Sequence, residues 1–183
     1  MYCGSNLTAM NSQKWIADSL TALMGEKPYP QITIMDICKR ADLSRQTFYN
    51  VFDSKEEVLR FCLQSQYEKQ FRRFADQSEI TLGEIVGAFA VVVAENQILL
   101  QRMVENQLDG IIAEEMTKCV SLVAGRFVKQ ENRTELLAYS EVLLSGALGH
   151  LLVYWFRQEK PISLTHLTQL IGDFLQGKLF ELS

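Results

Sequence analysis

The chain has 183 residues, enough for one large domain or two small ones, since a single core ordinarily serves ~100–200 residues. With 48% apolar and 22% charged residues it is a folded globular sequence, which excludes a disordered, collagen-like or disulfide-stapled chain. The formal net charge of −4 gives no global attraction for nucleic acid or acidic membrane; residues 1–55 hold six Lys and Arg against five Asp and Glu, leaving −5 on the rest, so a local polyanion contact is permitted at that end.

Pro28, Pro30 and Pro161 are the only prolines and none interrupts a long periodic segment, so the chain reads as all-α apart from a short strand-like run at Ile32–Ile34. A first helix is expected over about residues 8–25, with Ile16, Leu20, Leu23 and Met24 inward, ended by Gly25 and the two prolines that follow. Thr33 then caps a short helix at about 34–41, with Asp36 placed for a capping box and Ile34, Ile37, Cys38 and Ala41 inward. After a break at Asp42–Ser44, Ser44 opens a third helix at about 45–51. Ser54 with Glu57 reads as a second capping box, opening a long helix to about Asp76 whose inner face is Val58, Leu59, Cys62, Tyr67 and Phe71. Four further segments follow: Leu82 to about Gln97, Ile98 to Gln130 with a break near Asn106–Gly110, Thr134 to Gln158, and Leu164 to about Phe180 capped by Ser163. The organisation is therefore an N-terminal three-helix unit (1–53), a connecting helix (54–76) and a C-terminal helical bundle (77–183).

Short helix, three-residue turn, short helix is the layout whose second helix can lie in a DNA major groove. On residues 45–52, Phe48, Val51 and Phe52 gather on one side and Arg45, Gln46, Tyr49 and Asn50 spread over the other. Arg and Gln are the side chains shaped for paired hydrogen bonds to guanine and adenine edges. Tyr49 has a hydroxyl at the reach of a phosphate, and Lys55 stands in the first turn of the next helix. By geometry alone the same residues would also suit a packed corner of any helical protein.

The stretch Ile32–Leu59, ITIMDICKRADLSRQTFYNVFDSKEEVL, closely resembles the DNA-binding region of the TetR/AcrR family of bacterial transcriptional regulators. Thr33, Ile37, Ala41, Leu43, Ser44, Thr47, Phe48, Tyr49, Phe52 and the closing Ser54–Glu57 with Leu59 carry the resemblance. It implies that Arg45 and Gln46 read bases while Thr33, Ser44, Thr47, Tyr49 and Lys55 meet the phosphate backbone of double-stranded DNA. Two positions depart from the pattern. Asp42 replaces the turn glycine, and Val51 stands where the family often has a phosphate-binding His, a loss for which Asn50 is the substitute.

The segment from Thr134 to Gln158 is apolar around most of its circumference, so it needs cover on every side. Glu141 would fall inside any 20-residue window here and no basic cluster flanks it, which argues for a packed helix and against a membrane span. Ser145, Gly146 and Gly149 would admit a close partner helix, and with Leu164, Leu167, Leu170, Ile171 and Phe174 they make a two-fold homodimer contact, which is also how the family dimerises. A wholly internal helix is the other solution. The family further implies a small-molecule effector inside the bundle. Phe89, Val93, Met103, Met116, Phe127, Tyr139, His150 and Trp155 are candidate lining, although the same spacing serves an ordinary core.

Neither metal, cofactor nor catalysis is expected. Cys3, Cys38, Cys62 and Cys119 lie far apart, the histidines are only His150 and His166, and no phosphate loop or carboxylate cluster is present. With no signal-peptide pattern at the start, a reducing cytoplasm is the expected location. The reading is a dimeric repressor on a palindromic operator, released by a small molecule. The alternative is a helical interaction protein or coactivator controlled by a protein partner.

Overall fold

A computed structural model describes residues 7–72, 74, 77, 80–124 and 136–179. Among these residues the regular structure is helical: α1 (Leu7–Met24), α2 (Ile34–Ala41), α3 (Arg45–Val51), α4 (Lys55–Arg72), α5 (Leu82–Glu95), α6 (Gln97–Glu105), α7 (Asp109–Ala124), α8 (Leu136–Arg157) and α9 (Leu164–Leu175). A 3-10 turn at Tyr29–Gln31 fills the space between α1 and α2, where Pro30 is compatible with the first turn but not with a continued helix.

Local chemistry sets these boundaries. Thr33 Oγ1 accepts from the Asp36 amide at 3.1 Å while the Asp36 carboxylate accepts from the Thr33 amide at 2.8 Å, the reciprocal pair expected from the sequence. Asp42 ends α2 with φ 54°, the left-handed turn that Gly most often takes. Ser44 Oγ accepts from the Thr47 amide at 3.0 Å and so starts α3. At α4 the cap is offset. Ser54 Oγ accepts from the Glu57 amide at 3.2 Å, and the Glu57 carboxylate accepts from the amide of Asp53 at 2.9 Å. Thr81 with Glu84 makes a full capping box on α5, and Ser163 accepts from the His166 amide at 3.2 Å to open α9.

One hydrophobic cluster runs from α1, α2 and α3 through α4 into the bundle, so α4 belongs to both units. Its inward ridge is Leu59, Leu63, Tyr67 and Phe71, four residues apart, with Val58 beside it. Leu63 takes the inward place expected for Cys62, which is only half buried because it lies one residue off that ridge. Between α5 and α6 the axis bends by 69° at the buried Asn96, whose Nδ2 donates to Val92 O at 2.8 Å. α7 packs most extensively on α8, and α9 packs on α5.

Candidate DNA-binding site

In α3 the fully buried Phe48 and the buried Val51 and Phe52 fix the helix, and Phe48 meets the rings of Tyr49 and Phe52 at centroid distances of 5.5 and 6.0 Å. Arg45, Gln46, Tyr49 and Asn50 are exposed on the opposite side, and Thr47 is half buried beside the Ser44 hydroxyl at 2.9 Å. Val51 points into the core, so this position offers no side chain to a phosphate. Lys27–Asp36 at 2.8 Å and Arg40–Glu26 at 2.5 Å tie the end of α1 to α2, which leaves those cations spent on the fold. Lys27 and the two Thr33 hydrogen bonds hold the Asp36 carboxyl far below the ordinary carboxylate range.

Two of the expected phosphate contacts already have internal duties. The Thr33 amide and hydroxyl both donate to the Asp36 carboxylate, the hydroxyl at 2.7 Å. The Lys55 ammonium donates to the carbonyls of Tyr29 and Ile32 at 2.9 and 3.0 Å and lies 4.1 Å from the centre of the Tyr29 ring. One ammonium hydrogen is left over by that arrangement. Tyr29 itself is buried, and its phenol donates to Glu56 Oε1 at 2.8 Å. Burial first, then that carboxylate, push the phenol far above its ordinary pKa, so it stays a neutral donor.

In the bundle the candidate residues separate. Phe89, Val93, Met103, Met116 and Trp155 are buried. Phe89, Val93 and Met116 meet at a cavity of about 30 Å³ together with Tyr67, Glu115 and Cys119. Met103 is not among the residues around it, and Trp155 instead donates from Nε1 to Ile162 O at 2.6 Å. Tyr139, 76% exposed, and His150, also exposed, lie on the outside of α8, which corrects their placement as lining: both sit on the helix face turned away from α7. Phe127 lies outside the described residues.

The dimer candidates also divide. Ser145 and Gly149 are on the buried side of α8, and a Cβ on Gly149 would lie 3.8 Å from Ala113 Cα, so the small residue serves contact with α7 of the same chain. Leu167 and Ile171 are buried in the same chain as well, whereas Leu164 and Leu170 are half buried and Phe174 is 46% exposed. What α8 turns outward is a stripe of Tyr139, Val142, Leu143, Gly146, His150 and Tyr154, with Val142 and Leu143 about two-thirds exposed or more (67% and 72%). α8 is long and apolar enough to cross a membrane by length and composition, but its other face is packed on α7 and α6. The stripe is thus an apolar surface left exposed on a helix whose opposite face is packed.

Three residues that organise these regions escaped the sequence. Glu115, 2% exposed, accepts from Tyr67 Oη at 3.0 Å, Lys118 Nζ at 2.6 Å and Arg60 Nη1 at 3.3 Å. Its signal was present, because it stands at inward spacing with Ile112, Met116 and Cys119. Tyr29 and Asn106 meet across 77 positions, the Tyr29 amide donating to Asn106 Oδ1 at 2.6 Å, and nothing local marks such a pair. Among the described residues no group of His, Cys, Asp or Glu is arranged to hold a metal.

The model for "Bacterial regulatory proteins, tetR family" matches residues 16–61. The chain is 30% identical over 125 residues to the HTH-type dhaKLM operon transcriptional activator DhaS of Lactococcus lactis subsp. lactis; the match spans 58% of this chain and 64% of that relative's length. Lin0861 from Listeria innocua has the same fold, with a TM-score of 0.74 at 17% identity over 97% of this chain and 96% of that one. The dihydroxyacetone kinase operon activator DhaS follows with 0.61 at 23% over 92% and 96%. A TetR transcriptional regulator from Streptococcus agalactiae gives 0.59 at 18% over 92% and 95%. The capped helix-turn-helix thus lies inside the unit that matches the tetR family of bacterial regulatory proteins, the chain spans less than two thirds of the length of the relative it matches, and its all-helical fold is similar to that of the solved structures.

Proposed function

We propose that this chain is a cytoplasmic DNA-binding transcriptional regulator that works as a homodimer on a palindromic operator. The observation that carries the reading is α3: a helix pinned by Phe48, Val51 and Phe52 that presents Arg45, Gln46, Tyr49 and Asn50 outward from a Ser44 cap. Arg45 and Gln46 read base edges. Ser44, Thr47, Tyr49 and Asn50 meet phosphates, as does Lys55 with the hydrogen left by its internal bonds, and Thr33 does so by turning its hydroxyl from Asp36 to the phosphate. The outward stripe of α8, together with Phe174, is the surface that a second copy covers, and the two α3 helices then address half-sites about one DNA turn apart.

Regulation in this reading is by a small molecule that enters the bundle by displacing side chains near Phe89, Val93 and Met116, where the free space of about 30 Å³ holds little more than a water, and that alters the separation of the two α3 helices and releases a repressed promoter. A second reading, activation in place of repression, is favoured by the relative named as an operon activator. Selection of bound fragments from genomic DNA tests the shared core of both. A recurring palindrome among the fragments supports the regulator, whereas fragments with no common sequence would favour the interaction-protein alternative. Transcription from a promoter carrying that palindrome, with and without the protein, separates repression from activation.

A further inference from the structure

The unit that carries α3 is joined to the bundle by more than α4, and the second joint is at Tyr29. Its amide donates to Asn106 Oδ1, its carbonyl accepts from Lys55, its ring lies under the Lys55 ammonium and its phenol donates to Glu56. Asn106 is itself fixed, because its backbone amide and its Nδ2 both donate to Arg102 O, at 3.1 and 2.8 Å. The amide orientation is therefore set by its partners: the Tyr29 N–H can only donate and the Arg102 carbonyl can only accept. Asn106 ends α6 at a tight turn in which Gln107 holds φ 59°. α7 begins at Asp109, whose carboxylate pairs with Arg157 at the end of α8. A continuous series of contacts thus runs from α8, the helix with the outward apolar stripe, through the α6–α7 turn to Tyr29, Lys55 and the start of α2. Beside it, Arg102 lies against the end of α1, with its Nε 3.7 Å from where a Gly25 Cβ would stand.

Building on the reading of the chain as a dimer on DNA, we propose that Asn106 is a positioning residue for operator reading. Through the Tyr29 amide it holds each α1–α3 unit at a fixed angle to the bundle, and so determines which separation of half-sites the dimer accepts. Asn106 does not touch DNA in this arrangement. Loosening its bond lets each unit rotate on α4, which costs affinity at the preferred separation but relaxes the rejection of the others.

The test uses the full chain and a set of operators that differ by insertion or deletion of one base pair between the half-sites. The unaltered protein is expected to bind one separation best. Asn106→Ala is expected to bind that operator about fivefold more weakly, the equilibrium worth of one hydrogen bond, and to show a flatter preference across the set. Asn106→Asp keeps an acceptor for Tyr29 but loses the donor to Arg102, so it is expected to retain the spacing preference even where its melting temperature falls. A uniform weakening across all separations by Asn106→Ala would show a merely structural role and overturn the proposal. Loss of the spacing preference in a folded Asn106→Asp would overturn it as well, and if Asn106→Ala does not fold, Asn106→Ser, too short to reach the Tyr29 amide, takes its place with the same two outcomes. No sequence preference in the unaltered protein would instead defeat the DNA-binding reading, and the proposal with it.

Discussion

Asp42 holds φ 54° in the turn between α2 and α3, a conformation that costs an L residue more than it costs Gly. Asp42→Gly is therefore expected to raise stability by about 0.5–1 kcal/mol, measured by urea unfolding, without changing the DNA sequence preferred. Glu115 is the opposite kind of residue, a buried carboxylate satisfied by Tyr67, Lys118 and Arg60. Glu115→Ala would strand those partners and is expected to cost about 3 kcal/mol, whereas Glu115→Gln keeps the shape and most of the bonds and should cost less. The described thiols are not poised for chemistry. Burial, before any charge, pushes Cys62 and Cys119 up to about 12 and raises Cys38 as well. Alkylation of the native protein near neutral pH, followed residue by residue by mass spectrometry, is expected to be slow at all three.

At the scale of the element, the capping box of α2 is where sequence, stability and pH meet. Thr33→Ala removes one half of it and is expected to cost about 1 kcal/mol. The carboxyl of Asp36 is depressed in the fold, so its contribution is complete above the unfolded carboxylate value of 3.8 and is lost as pH falls toward the folded one. The stability gap between the unaltered protein and Asp36→Asn should accordingly be full near neutral pH and narrow in acid. These local devices were legible because each is built from residues three apart: Thr33 with Asp36, Ser44 with Thr47, Ser54 with Glu57. The α3 face was legible for the same reason, since Phe48, Val51 and Phe52 define its inside without help from other segments. What periodicity left open was which side of an all-round apolar helix turns inward. Ser145 and Gly149 read as a partner surface, yet α7 occupies that side, because the choice depends on contacts distant in sequence. The same limit hid Tyr29 and Asn106.

At the scale of the molecule, the outward stripe of α8 is the surface that the proposed dimer would cover. Leu143→Glu is expected to yield a folded monomer in sedimentation, because Leu143 is 72% exposed and contributes little to the chain's own core. Gly146 and Gly149 should separate in the same assay. A Cβ on Gly146 meets nothing within 4 Å in its own chain, so bulk there is expected to weaken the dimer while leaving the protomer's unfolding unchanged. Leucine at Gly149 would instead press on α7 and lower stability. Charge adds a further constraint on the DNA complex. With Lys27 and Arg40 committed to ion pairs, Arg45 and Lys55 are the cations that each proposed contact surface brings to DNA. Because Arg45 is assigned to a base edge, one Lys55 per subunit would neutralise about two phosphates in a dimer, and the logarithm of affinity should fall with that of salt at a shallow slope of about −2. The central claim, that the exposed face of α3 reads sequence, is tested most directly by fluorescence anisotropy of the selected palindrome with unaltered protein and Arg45→Ala, each against unrelated competitor DNA. The account predicts that Arg45→Ala loses about 1–3 kcal/mol per half-site on the palindrome while its weak binding to competitor changes far less. Equal loss on both DNAs, or no loss on the palindrome, would contradict it.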